Sequence, residues 1–119
     1  MTAIGRLKTR AEFLYVREGS RFAAPSLVLQ ARARGEKPSA TSDLARFGFT
    51  ASKALGGAVK RNRARRRLKE AARIVAPSHA VPGYDYVLIA RAGTVQRRFT
   101  EITKDLQRAL TKVHQAPRR

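Results

Sequence analysis

The residues of this sequence that are best suited to chemistry form a dense cationic block with almost no counter-charge. The block covers residues 60–73 and contains one acid, Glu70. Apolar side chains recur inside it at helical spacing, at Ala64, Leu68 and Ala71. At about 100° per residue, this stripe predicts an amphipathic helix whose opposite side carries the cations. Such an array of fixed positive charge suits phosphate binding, and RNA is the favoured partner.

The overall composition points the same way. Twenty-six Lys and Arg against eight Asp and Glu give a net charge of +18 on 119 residues. This charge makes the folded chain repel itself, which is typical of proteins that a polyanion neutralises. An apolar fraction of 43% is enough for one globular core. We therefore expect a single RNA-binding domain over residues 1–119, with flexible ends at about residues 1–5 and 114–119.

Several protein classes are excluded by what the sequence lacks or scatters. There is no cysteine, so disulfides and thiolate chemistry are excluded. The two histidines, His79 and His114, lie far apart and are predicted to be solvated surface residues. The acids are spread singly, so no catalytic or metal-binding cluster is expected. No apolar run suits a signal peptide or a membrane span, and a cytoplasmic protein is expected.

The first half of the chain predicts a helix followed by strands. Residues 9–12, Thr-Arg-Ala-Glu, have the pattern of a capping box at the start of a short helix that ends near Gly19. Residues 27–34 alternate between apolar and polar or basic side chains, which predicts a strand. A shorter strand is expected just before it, near residues 21–23. The Gly-, Pro- and Ser-rich residues 35–44 predict a flexible hairpin connection.

The second half predicts a strand, the basic helix, a strand and a final helix. The strand covers residues 46–52, and a Gly-Gly turn leads into the basic helix at about residues 58–75. A proline-containing loop should follow over residues 76–83. Residues 84–91 are apolar on both faces, as a central strand would be, and parallel pairing is expected across the long helix. Residues 99–113 predict the last amphipathic helix. The fold class is therefore α+β, a sandwich of helices on a central mixed sheet.

The start of the basic helix carries the most specific local pattern. Lys53, a Gly-Gly turn and the run Lys60-Arg61-Asn62-Arg63 bring cations beside the unpaired amides of a helix N-terminus. Those amides and the helix dipole both favour phosphate. Two local alternatives remain open here. Asn62 could be a helix-cap residue, and Arg67 could pair with Glu70 along the helix.

Residues 49–70 resemble the signature of the bacterial ribonuclease P protein subunit. That family has an Arg-Asn-Arg core followed by basic residues and a Glu on the same helix, here Arg61-Asn62-Arg63 and Glu70. The resemblance extends over roughly residues 6–113. The flanking matches are Arg6-Leu7-Lys8, Val28-Leu29 and Tyr86-Val87-Leu88-Ile89-Ala90-Arg91.

The resemblance implies two RNA-binding surfaces. The basic helix would face the catalytic RNA, and a cleft between the first helix and the sheet would hold the 5′ leader of precursor tRNA. The residues assigned to the first surface are Lys53, Lys60, Arg61, Asn62, Arg63, Arg65, Arg66, Lys69 and Arg73. The residues assigned to the leader cleft are Phe13, Val28, Gln30 and Arg32. Gln30 and Arg17 stand near positions where the family has aromatic residues, which predicts weaker stacking on leader bases.

The resemblance also implies which subunit carries out catalysis. The RNA subunit would perform the hydrolysis with Mg²⁺ held by its own phosphates, and no catalytic or metal-binding residue is assigned to the protein. The expected partners are the catalytic RNA and precursor tRNA, with no DNA, no membrane, and a monomer within the ribonucleoprotein. The family fold implies a left-handed βαβ crossover, opposite to the general rule.

A different class of protein fits the composition equally well. A structural RNA-binding protein, such as a small ribosomal protein, would also be basic and carry a cationic helix. The full segment from Phe-Thr-Ala-Ser-Lys to Arg-Asn-Arg favours the ribonuclease P interpretation over this alternative. A metal-dependent nuclease acting alone is disfavoured, because the sequence has no carboxylate cluster.

Overall fold

The computed structural model of the protein describes residues 1–35 and 43–115, which form a five-stranded mixed sheet with helices on both faces. The α+β class predicted from the sequence is confirmed. The elements in chain order are β1 (Ile4–Arg6), α1 (Arg10–Arg17), β2 (Ser20–Ala24), β3 (Leu27–Ala33), β4 (Ala45–Thr50), a 3-10 turn (Lys53–Leu55), α2 (Ala58–His79), β5 (Tyr84–Ala90), α3 (Ala92–Gln96) and α4 (Phe99–Val113).

β5 lies at the centre of the sheet, in the strand order β1-β4-β5-β3-β2. It pairs antiparallel with β3 and parallel with β4, so that Tyr86 lies opposite Ala31 on one side and Phe47 on the other. α2 connects β4 to β5, which confirms the predicted crossover unit with parallel pairing. The left-handed sense of this crossover, implied by the resemblance, stays a prediction.

The predicted hairpin between the two middle strands is wrong. β3 and β4 do not pair with each other, because β5 lies between them. β5 is apolar on both faces and mostly buried, so pairing on both edges and cover on both faces suit it best. Residues 36–42 of the predicted connection lie outside the described residues.

One face of the sheet carries the main hydrophobic core. Side chains that alternate along β4 and β5, such as Phe47, Tyr86 and Leu88, pack in one cluster with residues of α2 and α4. α2 contributes small side chains to it, including Ala64 and Ala71, which allow the helix to approach the sheet closely. Burial of these groups holds the basic helix on the sheet with its charged side outward.

α1 covers the other face, and its predicted capping box is confirmed. Val16 is fully buried and packs with Leu7 and Val87 in a second, smaller cluster. Gly48 on β4 makes space for the ring of Phe13, because a Cβ at residue 48 would lie 2.4 Å from two carbons of that ring. The Phe13 ring therefore lies directly over the backbone of β4.

β3 is a strand as predicted, but its second face is not simply polar and solvated. Val28 is 5% exposed and Gln30 is 9% exposed, on the face that α1 covers. The period-two pattern identifies which residues share a face, but not which element covers that face. Arg32 and Arg34, towards the end of the alternating segment, are less buried as whole residues, but the Arg34 side chain is only 6% exposed.

The N-terminal segment pairs with β4, although its own sequence pattern does not predict a strand. Residues Ile4–Arg6 form an edge strand parallel to β4, and the Thr2 amide donates to the Pro77 carbonyl over 2.8 Å. Residues 2 and 4–6 thus have backbone partners, and the flexibility expected for residues 1–5 stays a prediction. The edge of β4 supplies backbone partners that are distant in sequence.

α2 is longer than predicted, because it continues through the expected loop to His79. Pro77 lies inside its last turn, where it cannot donate a backbone hydrogen bond. Val75 and Ala76 are buried in the core, and this burial offsets the missing bond. The short helix α3 is a further element that the sequence pattern does not predict.

The end of α4 is fixed by a residue that was predicted to be solvated. The ring of His114 packs edge-on against Tyr84, with 4.5 Å between ring centroids, and its Nε2 lies 2.6 Å from the Tyr86 hydroxyl. The Val81 amide donates to the same hydroxyl oxygen over 2.9 Å, so the hydroxyl proton is available to His114. Burial lowers the pKa of His114 and raises the pKa of Tyr86 to about 12. Residues 116–119 lie outside the described residues.

Replacing His114 with Phe should flatten the pH dependence of stability. Because the pKa of His114 is lowered in the fold, its contribution is fully present above its ordinary value of about 6.5 and is lost as the pH falls through the folded value. We expect the free energy of unfolding of the wild type to fall more between about pH 7.5 and about pH 5 than that of His114→Phe. Urea unfolding at a series of pH values measures this, and equal slopes would contradict it.

Candidate RNA interface

α2 presents a continuous polar and cationic stripe along its exposed side. The side chains of Asn62, Arg66, Lys69 and Arg73 follow one another at spacings of three or four residues, and all four are exposed. Arg63 is exposed beside them. The opposite side of the helix is buried at Ala64, Leu68, Ala71, Ala72, Val75 and Ala76. The helical periodicity in the sequence therefore separated the cations from the core correctly.

The start of α2 is built around a glycine turn. Gly56 has φ of 142°, in the region that favours glycine, and a Cβ there would lie 2.8 Å from the Cδ of Lys60. Gly57 is the N-cap and has no side chain to satisfy the first-turn amides. The glycine turn lies between two exposed lysines, Lys53 before it and Lys60 in the first turn of α2. This arrangement suits a phosphate group.

Asn62 is not a helix cap. It lies in the second turn of α2, and its Oδ1 accepts a hydrogen bond from the Nη2 of Arg65. The Asn62 and Arg65 side chains therefore support each other on the helix surface. The donor hydrogens of the Asn62 amide take no part in this bond.

Two arginines near the stripe are used to hold the protein together. The Arg67 Nε donates to the Thr94 carbonyl over 2.8 Å, and its Nη2 donates to the Arg97 carbonyl. Arg61 donates to the Gly56 carbonyl over 3.0 Å. Arg67 thus ties α2 to α3, and Arg61 closes the turn before α2.

The predicted pair between Arg67 and Glu70 is wrong. Glu70 instead accepts from Arg73, with 3.1 Å between Oε1 and Nε and a second contact between Oε2 and Nη2. The hydrogen bond from Arg73 lowers the pKa of Glu70. The carbonyls of α3 draw Arg67 away, and these are contacts that the sequence of α2 alone cannot reveal. Arg73 still presents its guanidinium at the surface, with 70% of the side chain exposed.

A groove, here called the α1 groove, runs between α1 and the sheet, with a volume of about 430 Å³. Phe13 and Gln30, both assigned to a cleft from the sequence, come together in it. Its apolar surface comes from both the helix and the sheet, and its cations come from the helix and the residues just before it. It is lined by Lys8, Thr9, Arg10, Phe13, Leu14, Arg17, Gln30, Thr50, Val87 and Ile89.

Two residues that were assigned to this cleft do not line it. Val28 lies deep beside the groove and is buried. The guanidinium of Arg32 lies 4.0 Å from the centroid of the Tyr15 ring and donates to the Tyr15 carbonyl over 3.0 Å. Arg32 therefore holds the C-terminal end of α1 on the sheet. Arg17, by contrast, lines the groove.

The cations Lys8 and Arg10 are groove residues that the cleft assignment missed, together with Leu14. The signal was present in the helical spacing of residues 10, 13, 14 and 17, which places them on one side of α1. This spacing could not assign the residues to the groove, because the sequence does not reveal which side of α1 is open to solvent. Val16, one position before Arg17, is fully buried instead.

An ion cluster fixes α1 in this position. The Glu12 carboxylate accepts from the Lys8 amide over 2.6 Å and from the Thr9 amide over 2.9 Å, and its other oxygen meets Arg46 at 3.1 Å. The hydrogen bonds from the Lys8 and Thr9 amides are the main reason that the pKa of Glu12 is lowered. Arg46 in turn binds the buried Asp85, with contacts of 2.8 and 2.9 Å. A network of ion pairs from Glu12 through Arg46 to Asp85 thus links the start of α1 to the middle of the sheet.

Over residues 1–35 and 43–115, no group of three or more His, Asp or Glu is placed to hold a metal ion. Two of the buried or part-buried acids bind protein partners instead: Asp85 binds arginines, and Asp105 accepts from the backbone amide and the hydroxyl of Ser26. No helix in the described part of the chain is long and apolar enough to cross a membrane.

Comparison with known proteins agrees with this geometry. The model of the ribonuclease P family matches residues 1–114. The chain belongs to the ribonuclease P protein family. The ribonuclease P protein component of Ruegeria pomeroyi is 46% identical over 114 residues, which cover 95% of this chain and 89% of that protein. The protein component of Gluconacetobacter diazotrophicus is 50% identical over 108 residues, which cover 90% of this chain and 89% of that protein.

Solved structures share the fold. The RNase P protein of Staphylococcus aureus superimposes with a TM-score of 0.72 at 27% identity, covering 92% of this chain and 94% of its own. The RNase P protein of Thermotoga maritima has the same fold, with a TM-score of 0.73 at 24% identity and coverage of 92% and 98%. The family match and the two relatives, with this shared fold, make the chain a protein component of ribonuclease P, a ribonucleoprotein endoribonuclease. The small ribosomal protein alternative is not favoured.

Two neighbouring arginines of α2 should behave differently on mutation. Arg67→Ala removes charged hydrogen bonds to two carbonyls of the α3 region, so we expect a loss of roughly 1–2 kcal/mol in the free energy of unfolding. Arg66→Ala removes an exposed side chain and should change it by less than about 0.5 kcal/mol. Thermal and urea unfolding of both variants measure this difference. Equal stabilities would mean that Arg67 does not anchor α3.

Proposed function

We propose that this ribonuclease P protein binds the catalytic RNA through α2 and the 5′ leader of precursor tRNA through the α1 groove. The observation that carries the proposal is the placement of two cationic surfaces on opposite faces of one sheet. A protein with this arrangement can contact its RNA subunit on one side and a single-stranded substrate segment on the other. The binding energy for the leader then adds only to the affinity for precursor.

The surface proposed for the catalytic RNA is the exposed side of α2 with its N-terminus. Its cations project from a helix whose backbone is held by the core, so little backbone order has to be gained on binding, and the cost of binding falls on the side chains. Arginine is well suited to this task, because its planar guanidinium contacts phosphate with two donors. The residues proposed are Lys53, Lys60, Arg61, Asn62, Arg63, Arg65, Arg66, Lys69 and Arg73, with Arg61 and Arg65 only partly exposed.

The α1 groove is proposed to hold the leader. It combines the Phe13 ring with the cations Lys8, Arg10 and Arg17, a combination that suits a single strand with stacked bases and a charged backbone. Gln30 adds an amide to the floor where a second aromatic ring would give more stacking. Val28 and Arg32, assigned to the cleft from the sequence, would support its walls without touching the leader. We therefore expect leader binding of moderate strength.

Hydrolysis is assigned to the RNA subunit. The described acidic side chains do not suit Mg²⁺, because no three of them converge and most already accept hydrogen bonds from protein donors. We assign Mg²⁺, which activates water and stabilises the leaving oxygen when bound, to phosphates of the RNA. The protein itself neutralises charge and positions the substrate. We expect one protein copy in each cytoplasmic ribonucleoprotein, with no role in binding DNA or a membrane.

Binding to the catalytic RNA should depend steeply on salt. Each phosphate that a cation neutralises releases counterions, so log affinity against log salt concentration should slope by about −0.7 to −0.9 per contact. Arg66→Ala or Lys69→Ala should flatten the slope by about one contact without changing the far-UV dichroism. Arg21→Ala, at an exposed cation of the edge strand β2, is the matched control and should leave the slope unchanged. Unchanged slopes in both α2 variants would mean that α2 faces away from the RNA.

The leader proposal is tested with the reconstituted holoenzyme. Phe13→Leu keeps apolar volume over Gly48 and removes the aromatic face, and stacking of one base contributes roughly 1–3 kcal/mol. We expect affinity for precursor tRNA to fall about fivefold and affinity for mature tRNA to stay unchanged, in binding assays at low magnesium. Equal weakening of both, or early melting with precursor affinity intact, would make Phe13 a core residue.

The purified protein without RNA should not cleave precursor tRNA. Cleavage by protein free of RNA would contradict the assignment of hydrolysis to the RNA subunit.

A further inference from the structure

A second groove lies on the α2 side of the sheet, opposite the α1 groove. It runs between the edge strand β1, the end of β4 and the second half of α2, with a volume of about 380 Å³. We call it the β1 groove. Its floor includes the ring of Phe49 and the small side chain of Ala72, and Arg6, Lys69 and Arg73 surround it. None of its lining residues lines the α1 groove.

Phe49 ends a row of stacked rings that crosses the sheet. The Phe47 ring lies 4.7 Å from that of Tyr86, and the Phe49 ring lies 6.3 Å from that of Phe47, each pair with planes 18° apart. Phe47 and Tyr86 are fully buried, whereas Phe49 is only partly buried and borders the groove. The stacked neighbours fix the Phe49 ring in place. A rigid aromatic surface is therefore available at the floor.

The rim of the β1 groove is strongly cationic. Lys69 and Arg73 lie one turn apart on α2, Arg6 lies on β1, and all three side chains are exposed. Glu70 pairs with Arg73, and it is the one acid among these neighbours. The rim therefore keeps a net positive charge. An aromatic floor beneath a cationic rim matches a nucleotide, whose base stacks and whose phosphates need counter-charge.

We propose that the β1 groove binds one unstacked nucleotide of the catalytic RNA, with its base on Phe49 and its flanking phosphates at Lys69 and Arg73. The inference rests on the proposed function, because it requires that α2 faces that RNA. The occupant comes from the catalytic RNA, not from the leader, since Lys69 and Arg73 belong to the α2 stripe and the α1 groove lies on the opposite face. An apolar peptide would bring no counter-charge to the net positive rim.

The test compares two partly buried phenylalanines that pack on the same core. Phe49→Leu removes the aromatic face from the β1 groove. Phe22→Leu, the matched control, makes the same change on β2, where Arg108 lies over the ring at 5.5 Å. Binding of each variant to the catalytic RNA is measured without tRNA, after far-UV dichroism and thermal melting confirm folding. We expect Phe49→Leu to bind about fivefold more weakly or worse, and Phe22→Leu to bind as the wild type does.

Three results would show whether the nucleotide site, the α2 interface or both are wrong. If Arg66→Ala weakens RNA binding and Phe49→Leu does not, the nucleotide site is wrong and the α2 interface stands. If neither variant weakens binding, both are wrong. If Phe49→Leu weakens precursor tRNA binding more than binding of the catalytic RNA alone, the occupant is substrate and the proposal is overturned.

Photochemical cross-linking of the wild-type holoenzyme keeps the inference testable if Phe49→Leu does not fold. Short-wavelength irradiation joins stacked rings and bases without a linker, and mass spectrometry then locates the modified peptide. We expect a nucleotide of the catalytic RNA on the peptide that contains Phe49. Adducts elsewhere on the protein, with none on that peptide, would overturn the proposal.

Discussion

The central strand and the position of α1 beside it depend on one buried carboxylate. Asp85 lies in the central strand, is 1% exposed, and is held by Arg34 at 2.7 Å and by Arg46 at 2.8 Å. A buried charge is tolerated only with such partners, and removing one partner typically costs about 3–5 kcal/mol. Arg46 also binds Glu12, so the same cluster reaches α1. Arg34 in addition donates to the Leu44 carbonyl over 2.7 Å, which ties the end of β3 to the chain entering β4.

The sheet divides the molecule into two sides, for which we propose different roles in RNA binding. On one side, apolar packing of β4 and β5 against α2 holds the basic helix with its cations outward. On the other, the small cluster around Val16 and the ion cluster leave an open groove beside Phe13. Because the two surfaces are separated by the sheet, each can bind RNA without displacing the other. Cations lie on both sides, with Lys8, Arg10 and Arg17 beside the α1 groove and others along α2, which limits self-repulsion within either side.

Helical and strand periods explain why so much of the fold was predictable. The capping box of α1, the amphipathic pattern of α2 and the doubly apolar β5 each depend on neighbours in sequence. The errors arose where distant contacts override local preference. Burial of Val75 and Ala76 extends α2 past Pro77, and β5 separates the two strands expected to form a hairpin.

For the candidate sites, the sequence by itself determined the identity and order of the cations on α2, because a period of 3.6 residues fixes which side chains share a helix face. The tertiary structure alone decided what each cation contacts. It directs Arg67 to the Thr94 carbonyl of α3 and Arg32 to Tyr15, and it places Lys69 and Phe49 on the same groove. Partners like these come from elements far apart along the chain. Their meeting depends on strand order and on which helix covers which face, and neither is encoded in local spacing.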